Sequence, residues 1–312
     1  MRLNYKQPFV WVLITLLLLN GCVQEEPYLL DKSYGSSHIK VPFIPPRSDL
    51  CAATSLEMIS LYWQSKTSYV SHLSREKLDG RTLIPGKGGT LQVELMATAR
   101  ANGLLVYLLP PTFKALLSEL EKEHPIIVLV NRGYSWYPLW HYVTVTGYNR
   151  DNILMHFSDK ADEALSIDTF KSLWKRSENW GVILLPPEQL PTSVSSKVFL
   201  RSVYTFEKSG NIDEAIVAYK SALKHWYNDS DILFALANAY YNAQELNKAE
   251  QSYRKLLSLE PKHVLALNNL ADLLCRKGSS NEALRLIRKA VTDDKKIQSI
   301  LNTTHNEIMN GC

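Results

Sequence analysis

The sequence predicts an α+β domain followed by an all-α helical array, and three observations predict it. Between residues 38 and 190, short apolar runs bounded by Gly, Pro and Asn are interspersed with helix-like stretches. From about Ser196 prolines become scarce, and large and small residues recur every 34 positions. Ahead of both stands a 21-residue leader of different composition. The chain has 312 residues, 46% of them apolar and 21% charged, which suits about two globular domains. A net charge of +4, with no basic run, argues against a nucleic-acid partner.

In the leader, Arg2 and Lys6 precede an apolar core over residues 9–19. That core is shorter than a membrane-spanning helix needs and reads as a secretion signal. Its ending, Leu19-Asn-Gly-Cys22, resembles the lipobox of bacterial lipoproteins, although Asn20 is not the usual small or branched residue. The resemblance implies that Cys22 is lipidated and starts the mature chain. Val23, where an aspartate would resemble an inner-membrane retention signal, implies the outer membrane, facing the periplasm. A plain signal peptide and an uncleaved anchor are the competing readings. The expected divisions are residues 1–21 signal peptide, 22–37 polar tether, 38–190 α+β domain, 196–297 repeats and 298–312 a capping helix with a loose end.

In chain order, residues 41–50 are a proline-stiffened extended segment running into Cys51, which opens an apolar helix to about Trp63. A short helix is expected over 72–78. The glycine-rich loop 79–89 lacks the spacing of a phosphate-binding loop. Thr90 is expected to cap a helix over 91–102 that Gly103 stops. A strand over 104–108, a helix over 112–122 and an apolar strand over 125–130 follow. A strand from His141 to Gly147 turns through 148–152 into a strand over 153–157, leaving Asp159 level with residues 141 and 142. The aromatic stretch 134–140 either walls a cleft or covers the sheet's end. A helix over 170–174 and a strand over 181–185 close the domain at Pro186 and Pro187.

Three residues suggest chemistry. A thiol at a helix start meets unspent backbone N–H groups and the positive dipole end, which favour thiolate. Cysteine hydrolysis also needs a base, usually a histidine held by an acid. Cys51, His141 and Asp159 occur in that order. Each has a plainer reading as buried thiol, core histidine or turn aspartate. His156 should face away from His141, and His38 ends the tether. No clustered spacing indicates a metal, and no cofactor is called for. Cys275 and Cys312 suggest no disulfide framework, though a bond between them is feasible.

In the last third, Phe206, Tyr240 and Leu274 share one position at intervals of 34, as do Ala215, Ala249 and Ala283, and Tyr219, Tyr253 and Ile287. This is the tetratricopeptide pattern, with small residues where two helices touch. Three repeats form a groove for a peptide or a partner's helix. Lys255, Lys262, Arg276 and Lys277 hint at a basic patch.

The run Val41-Pro-Phe-Ile-Pro leading to Cys51-Ala-Ala-Thr-Ser-Leu-Glu-Met resembles the nucleophile motif of the bacteriocin-processing, double-glycine type cysteine peptidase superfamily. His141-Tyr-Val-Thr-Val-Thr-Gly-Tyr resembles its histidine motif. Gly89-Thr-Leu-Gln-Val-Glu-Leu-Met and Trp140-His-Tyr are similar to its lipoprotein branch with tetratricopeptide repeats. The resemblance implies a papain-like fold, Cys51 as nucleophile, His141 as base and Asp159 as acid. Two positions depart from it. Pro46 stands where the family has a glutamine that donates to the oxyanion, and Ala52 replaces the family's glycine. One lost oxyanion donor costs roughly 3 kcal/mol of transition-state stabilisation, for which Gln92 or Asn131 would have to substitute. The expectation is a lipid-anchored periplasmic thiol peptidase whose repeats recruit a peptide or protein; the alternative is a weak or inactive peptide-binding adaptor. Amide transfer would use the same triad.

Overall fold

The apolar runs of the first domain pair into a single antiparallel sheet. The chain is described by a computed structural model over residues 35–45, 50–71, 78, 90–134, 136–157 and 159–311. The strands are β1 (Ser37–His38), β2 (Leu105–Leu108), β3 (Ile126–Asn131), β4 (Trp140–Tyr148), β5 (Asn152–Phe157), β6 (Lys160–Ser166) and β7 (Gly181–Leu185). Their order is β2-β7-β3-β4-β5-β6, with β1 paired to β4. Ile126, Ile127, Val128, Val143, Val145, Val182 and Ile183 are wholly buried, as expected of strands covered on both faces. Helices α1 (Cys51–Gln64), α2 (Gln92–Ala101), α3 (Phe113–Leu120) and α4 (Ile167–Lys175) supply the covering layers.

Local chemistry sets most of the boundaries. Thr112 caps α3 through Ala115 N–H at 3.2 Å, and Ser166 caps α4 through Thr169 N–H. Asn149 Oδ1 accepts from the backbone N–H of Asp151 and Asn152, folding the β4–β5 turn where the polar run predicts it. Gly147 follows a bulge and lies against β1, where a Cβ would meet Ser37 O at 2.1 Å. Only glycine allows that close approach.

One expectation needs correction, and one strand was not expected. Thr90 does not cap α2: Leu91 occupies the cap position without a side-chain bond, and the Thr90 hydroxyl is buried without a partner. The Thr90 carbonyl instead accepts from Tyr142 Oη at 3.1 Å, so tertiary packing overrides the local capping preference. Strand β6, with its Lys160, Asp162 and Glu163, carries no apolar signal. It is an edge strand, where charges guard against pairing with another chain. The helix expected over 72–78 and the loop 79–89 lie outside the described residues, residue 78 excepted.

The repeats are α5 (Ser196–Lys208), α6 (Ile212–His225), α7 (Ser230–Asn242), α8 (Leu246–Leu259), α9 (Val264–Arg276) and α10 (Ser280–Ile287). The first helices start at 196, 230 and 264 and the second at 212, 246 and 280, keeping the 34-residue period. Ala215, Ala249 and Ala283 are wholly buried at the helix contacts, with Tyr219, Tyr253 and Ile287 filling the space between. The trailing helix α11 (Lys295–Met309) packs on α9 and α10 through Leu301, Thr304 and Ile308. Cys275 is disulfide-bonded, where the sequence suggested no framework. The expected basic patch does not stand out, since Arg276 pairs with Asp272 and Lys277 with Glu250.

Residues from Ser37 onward belong to one compact unit, because the first repeat packs on the sheet's β2 edge. Phe199 stacks on Tyr107, and Ser202 Oγ donates to Val106 O at 2.5 Å. The connecting segment is pinned by Glu119, wholly buried, whose Oε1 accepts from Thr192 N–H at 2.8 Å and Ser193 N–H at 2.7 Å. Its other oxygen faces buried His124 at 2.6 Å. Among the described residues, no helix is long and apolar enough to cross a membrane.

Candidate active site

Cys51 is the first residue of α1, is half-buried and is not in a disulfide. Leu50 in the cap position offers no side-chain acceptor, and the first turn contains no acid. Among the described residues, the first turn of this largely buried helix adds no carboxylate to its positive end. Helix α1 packs against β4, and Cys51 lies close to the start of that strand. The Tyr142 hydroxyl registers this proximity: burial raises its pKa, and the negative charge of the Cys51 thiolate raises it further.

His141 is the second residue of β4 and is paired with Val130. Strand alternation places its side chain on the face of Val143 and Val145. Its ring meets Phe157 edge-on at 5.7 Å between centroids, and the Arg132 guanidinium lies over the same Phe157 at 4.8 Å. Burial lowers the imidazole pKa and the charge of Arg132 lowers it further, so the ring is neutral and able to take a proton at neutral pH. Beside it is a pocket of about 260 Å³, floored by Met155, Phe170 and Leu173 and rimmed by Arg132 and Glu163.

Asp159 sits in the β5–β6 turn and is exposed. The pairs Thr144–His156 and Val145–Met155 set the β4–β5 register. That pairing ends short of His141 and Asp159 among the described residues, and the Asp159 carboxylate forms no hydrogen bond with His141. The thiol and the imidazole share one end of β4, with Tyr142 turned toward the thiol and His141 toward Phe157. Unliganded sites often close such bonds only on substrate.

Other histidines are already occupied. His156, buried on the opposite face from His141, donates from Nε2 to Val41 O at 2.9 Å and accepts at Nδ1 from Asp162 N–H at 3.1 Å. It clamps the segment leading to Cys51. His38 pairs with Asp162 at 3.0 Å. Asn131, considered as a substitute oxyanion donor, turns Oδ1 into its own loop, where it accepts from Gly133 and Leu139 N–H. Gln92 lines a cleft with Arg100 and Trp180, at the junction with the repeats. Pro46 and Cys22 lie outside the described residues. Among the described residues, no group of three or more His, Cys, Asp or Glu could hold a metal ion.

The aromatic stretch does not cover the sheet's end. Trp136 is 80% exposed and stacked with exposed Tyr134, on a tip held by Asn131 and by Arg176 bonds to the carbonyls of Asn131 and Gly133. Sequence reasoning also passed over Arg132 and Phe157, which set the environment of His141. The alternation of apolar residues in β5 was the available signal for Phe157, and none marked Arg132.

Residues 37–182 match the family model described as Peptidase_C39 like family, and residues 200–258 and 234–297 match a tetratricopeptide repeat model. No curated protein matches the chain. Among solved structures, a protein from Bacillus anthracis described as a C39-like peptidase is 14% identical, with a TM-score of 0.39, covering 48% of this chain and 97% of that one. A double glycine motif protease from an AMS/PCAT transporter, in complex with its leader peptide, is 21% identical with a TM-score of 0.36, covering 48% and 94%. The Yersinia enterocolitica type III secretion translocator chaperone SycD is 17% identical with a TM-score of 0.35, covering 38% and 87%.

Proposed function

We propose that this chain, whose residues 37–182 match the Peptidase_C39 like family model and which continues as tetratricopeptide repeats, is a thiol peptidase with Cys51 as nucleophile, His141 as base and Asp159 as the acid that orients it. The observation that carries this reading is a helix start bearing Cys51 beside the strand that bears a neutral His141. His141 takes the thiol proton as the sulfur attacks the substrate carbonyl carbon, and the carbonyl π pair moves to oxygen. The first-turn N–H groups of α1 are the nearest donors for that oxyanion. Collapse breaks the C–N bond, His141 passes its proton to the leaving amine, and a thioester remains. Water then attacks the thioester while His141 accepts its proton; the acid departs and the proton returns to sulfur. The pocket between Arg132 and Phe170 takes an apolar side chain of the substrate. The repeats recruit a peptide or protein. The signal peptide directs export, and lipidated Cys22 tethers the enzyme to the outer membrane, facing the periplasm.

The test is hydrolysis of a peptide library by the full chain and by C51A, with iodoacetamide labelling near pH 7 alongside. Hydrolysis lost in C51A, with Cys51 alkylated at least tenfold faster than a free thiol, supports the reading. Equal background hydrolysis and ordinary thiol reactivity sink it. A non-catalytic adaptor is the second reading, favoured by Pro46 in the glutamine position.

A further inference from the structure

The connection between β3 and β4 carries Tyr134, Trp136, Tyr137, Pro138, Leu139 and Trp140, all of them exposed. Trp136 is 80% exposed, Tyr134 69% and Tyr137 62%. An aromatic ring that lines a cleft is covered on at least one side, so these values describe a protruding tip. Large apolar residues exposed singly are ordinary, but a contiguous group marks a contact surface.

The tip is held by its own backbone. Arg132 N–H donates to Leu139 O at 3.0 Å, Tyr134 N–H to Tyr137 O at 3.0 Å and Tyr137 N–H to Tyr134 O at 3.2 Å. A Cβ at Gly133 would meet Tyr137 O at 2.2 Å, so only glycine lets the hairpin close there. Trp136 stacks on Tyr134 with 5.5 Å between centroids. The rings are presented to solvent as a rigid group, on backbone whose polar groups already pair within the hairpin. That internal pairing suits an environment poorer in water.

The charge of the tip is one-sided. Residues 131–141 hold no Asp or Glu, while Arg132 stands at the base and Arg176 donates to the carbonyls of Asn131 and Gly133. Both arginines are exposed, and neither forms an ion pair among the described residues. Indole and phenol rings have an apolar body and a polar edge, the combination favoured at the headgroup level of a bilayer. Flanking guanidinium groups add attraction to anionic lipids.

Chain length permits the contact. Ser37 pairs with Tyr148, at the far end of β4 from Trp140. The strand from Trp140 to Tyr148 spans about 27 Å, and the hairpin adds roughly 13 Å to reach Trp136. The chain from Cys22 to Ser37 reaches up to roughly 50 Å. A lipid on Cys22 and the aromatic tip can therefore engage one surface.

We propose that this aromatic hairpin inserts at the headgroup level of an anionic membrane and docks the first domain with its candidate active site against the bilayer. His141 directly follows Trp140, so the docked tip holds the imidazole beside the lipid surface. Peptide segments lying at that surface are then the substrates within reach. The proposal takes its membrane from the lipid-anchored reading and needs no turnover at Cys51.

The experiment uses the chain from residue 22 onward with C22S, which carries no lipid, and sucrose-loaded vesicles of phosphatidylethanolamine and phosphatidylglycerol at 3:1. The C22S chain should co-sediment, and W136S/Y137S should weaken its partitioning tenfold or more. Y227S, which removes a similarly exposed ring from the repeats, should leave it unchanged within twofold. Vesicles brominated on the acyl chains near the headgroups should quench tryptophan fluorescence, and W136F should lose most of that quenching while still binding. No co-sedimentation by the folded chain, equal partitioning by folded W136S/Y137S, or quenching untouched by W136F would overturn the proposal. So would a dimer that W136S/Y137S dissolves and vesicles do not compete, which assigns the tip to a second copy of the chain. Lipid anchoring is read separately, by palmitate labelling of the native chain and its loss in C22S, so a failed anchor and a failed tip give different results.

Discussion

Removing the Glu119 carboxylate should unpin the two halves of the chain. In E119A the N–H groups of Thr192 and Ser193 and the His124 ring nitrogen would all lose their partner, 2.6–2.8 Å away in the native protein. Each orphaned buried donor costs about 1–3 kcal/mol, and breaking a buried charged pair about 3–5 kcal/mol. These terms overlap, so the expected loss is about 4 kcal/mol, a large share of a typical total of about 5–15 kcal/mol. E119Q keeps an acceptor for the two N–H groups but loses their charge assistance, for an expected loss of about 2 kcal/mol. Urea unfolding followed by tryptophan fluorescence and far-UV circular dichroism reads both quantities. In E119A the two probes should separate, because the repeats no longer unfold with the sheet. The pH dependence has a defined sign. Burial works to raise the Glu119 pKa, but hydrogen bonds from His124 and Ser193 and the charge of His124 outweigh it and hold the carboxyl below its usual range. That stabilisation is present above the unfolded-state pKa and is lost as pH falls through the folded one. The gap between native protein and E119A should therefore narrow in acid. A loss under about 1 kcal/mol with coincident probes, or a gap that widens in acid, would refute the reasoning.

Two further outcomes follow from the same geometry. R132Q removes a cation that disfavours the imidazolium, so the His141 pKa should rise and the acid limb of Cys51-dependent hydrolysis should move to higher pH; an unmoved limb would show that Arg132 does not act on His141. Ala249, wholly buried between α7 and α8, leaves no room for three added heavy atoms, and A249L should cost about 1–3 kcal/mol in urea unfolding. A variant as stable as the parent would mean that the repeat contact is looser than its burial implies.

Legibility differed by element for physical reasons. The repeats were read to the residue because each turn of a stacked array faces the same packing problem, so Ala215, Ala249 and Ala283 recur at a fixed interval. Strands β3, β4 and β7 announced themselves as apolar runs between breakers. Strand β6 did not, since an edge strand is stabilised by backbone pairing and keeps its charges in water. The Thr90 cap failed because a hydroxyl's local preference is worth little against the packing of Leu91, Tyr142 and α2.

Sequence by itself determined that Cys51 opens a helix and that His141 lies at the start of a strand, because helix starts and strand patterns are set by near neighbours. Only the tertiary structure decided what surrounds them. It turned His141 toward Phe157 and Arg132, occupied His156 with the Val41 carbonyl, and tied Arg176 to the Gly133 carbonyl at the base of the aromatic tip. Those arrangements join residues far apart in the chain, where no local periodicity reaches.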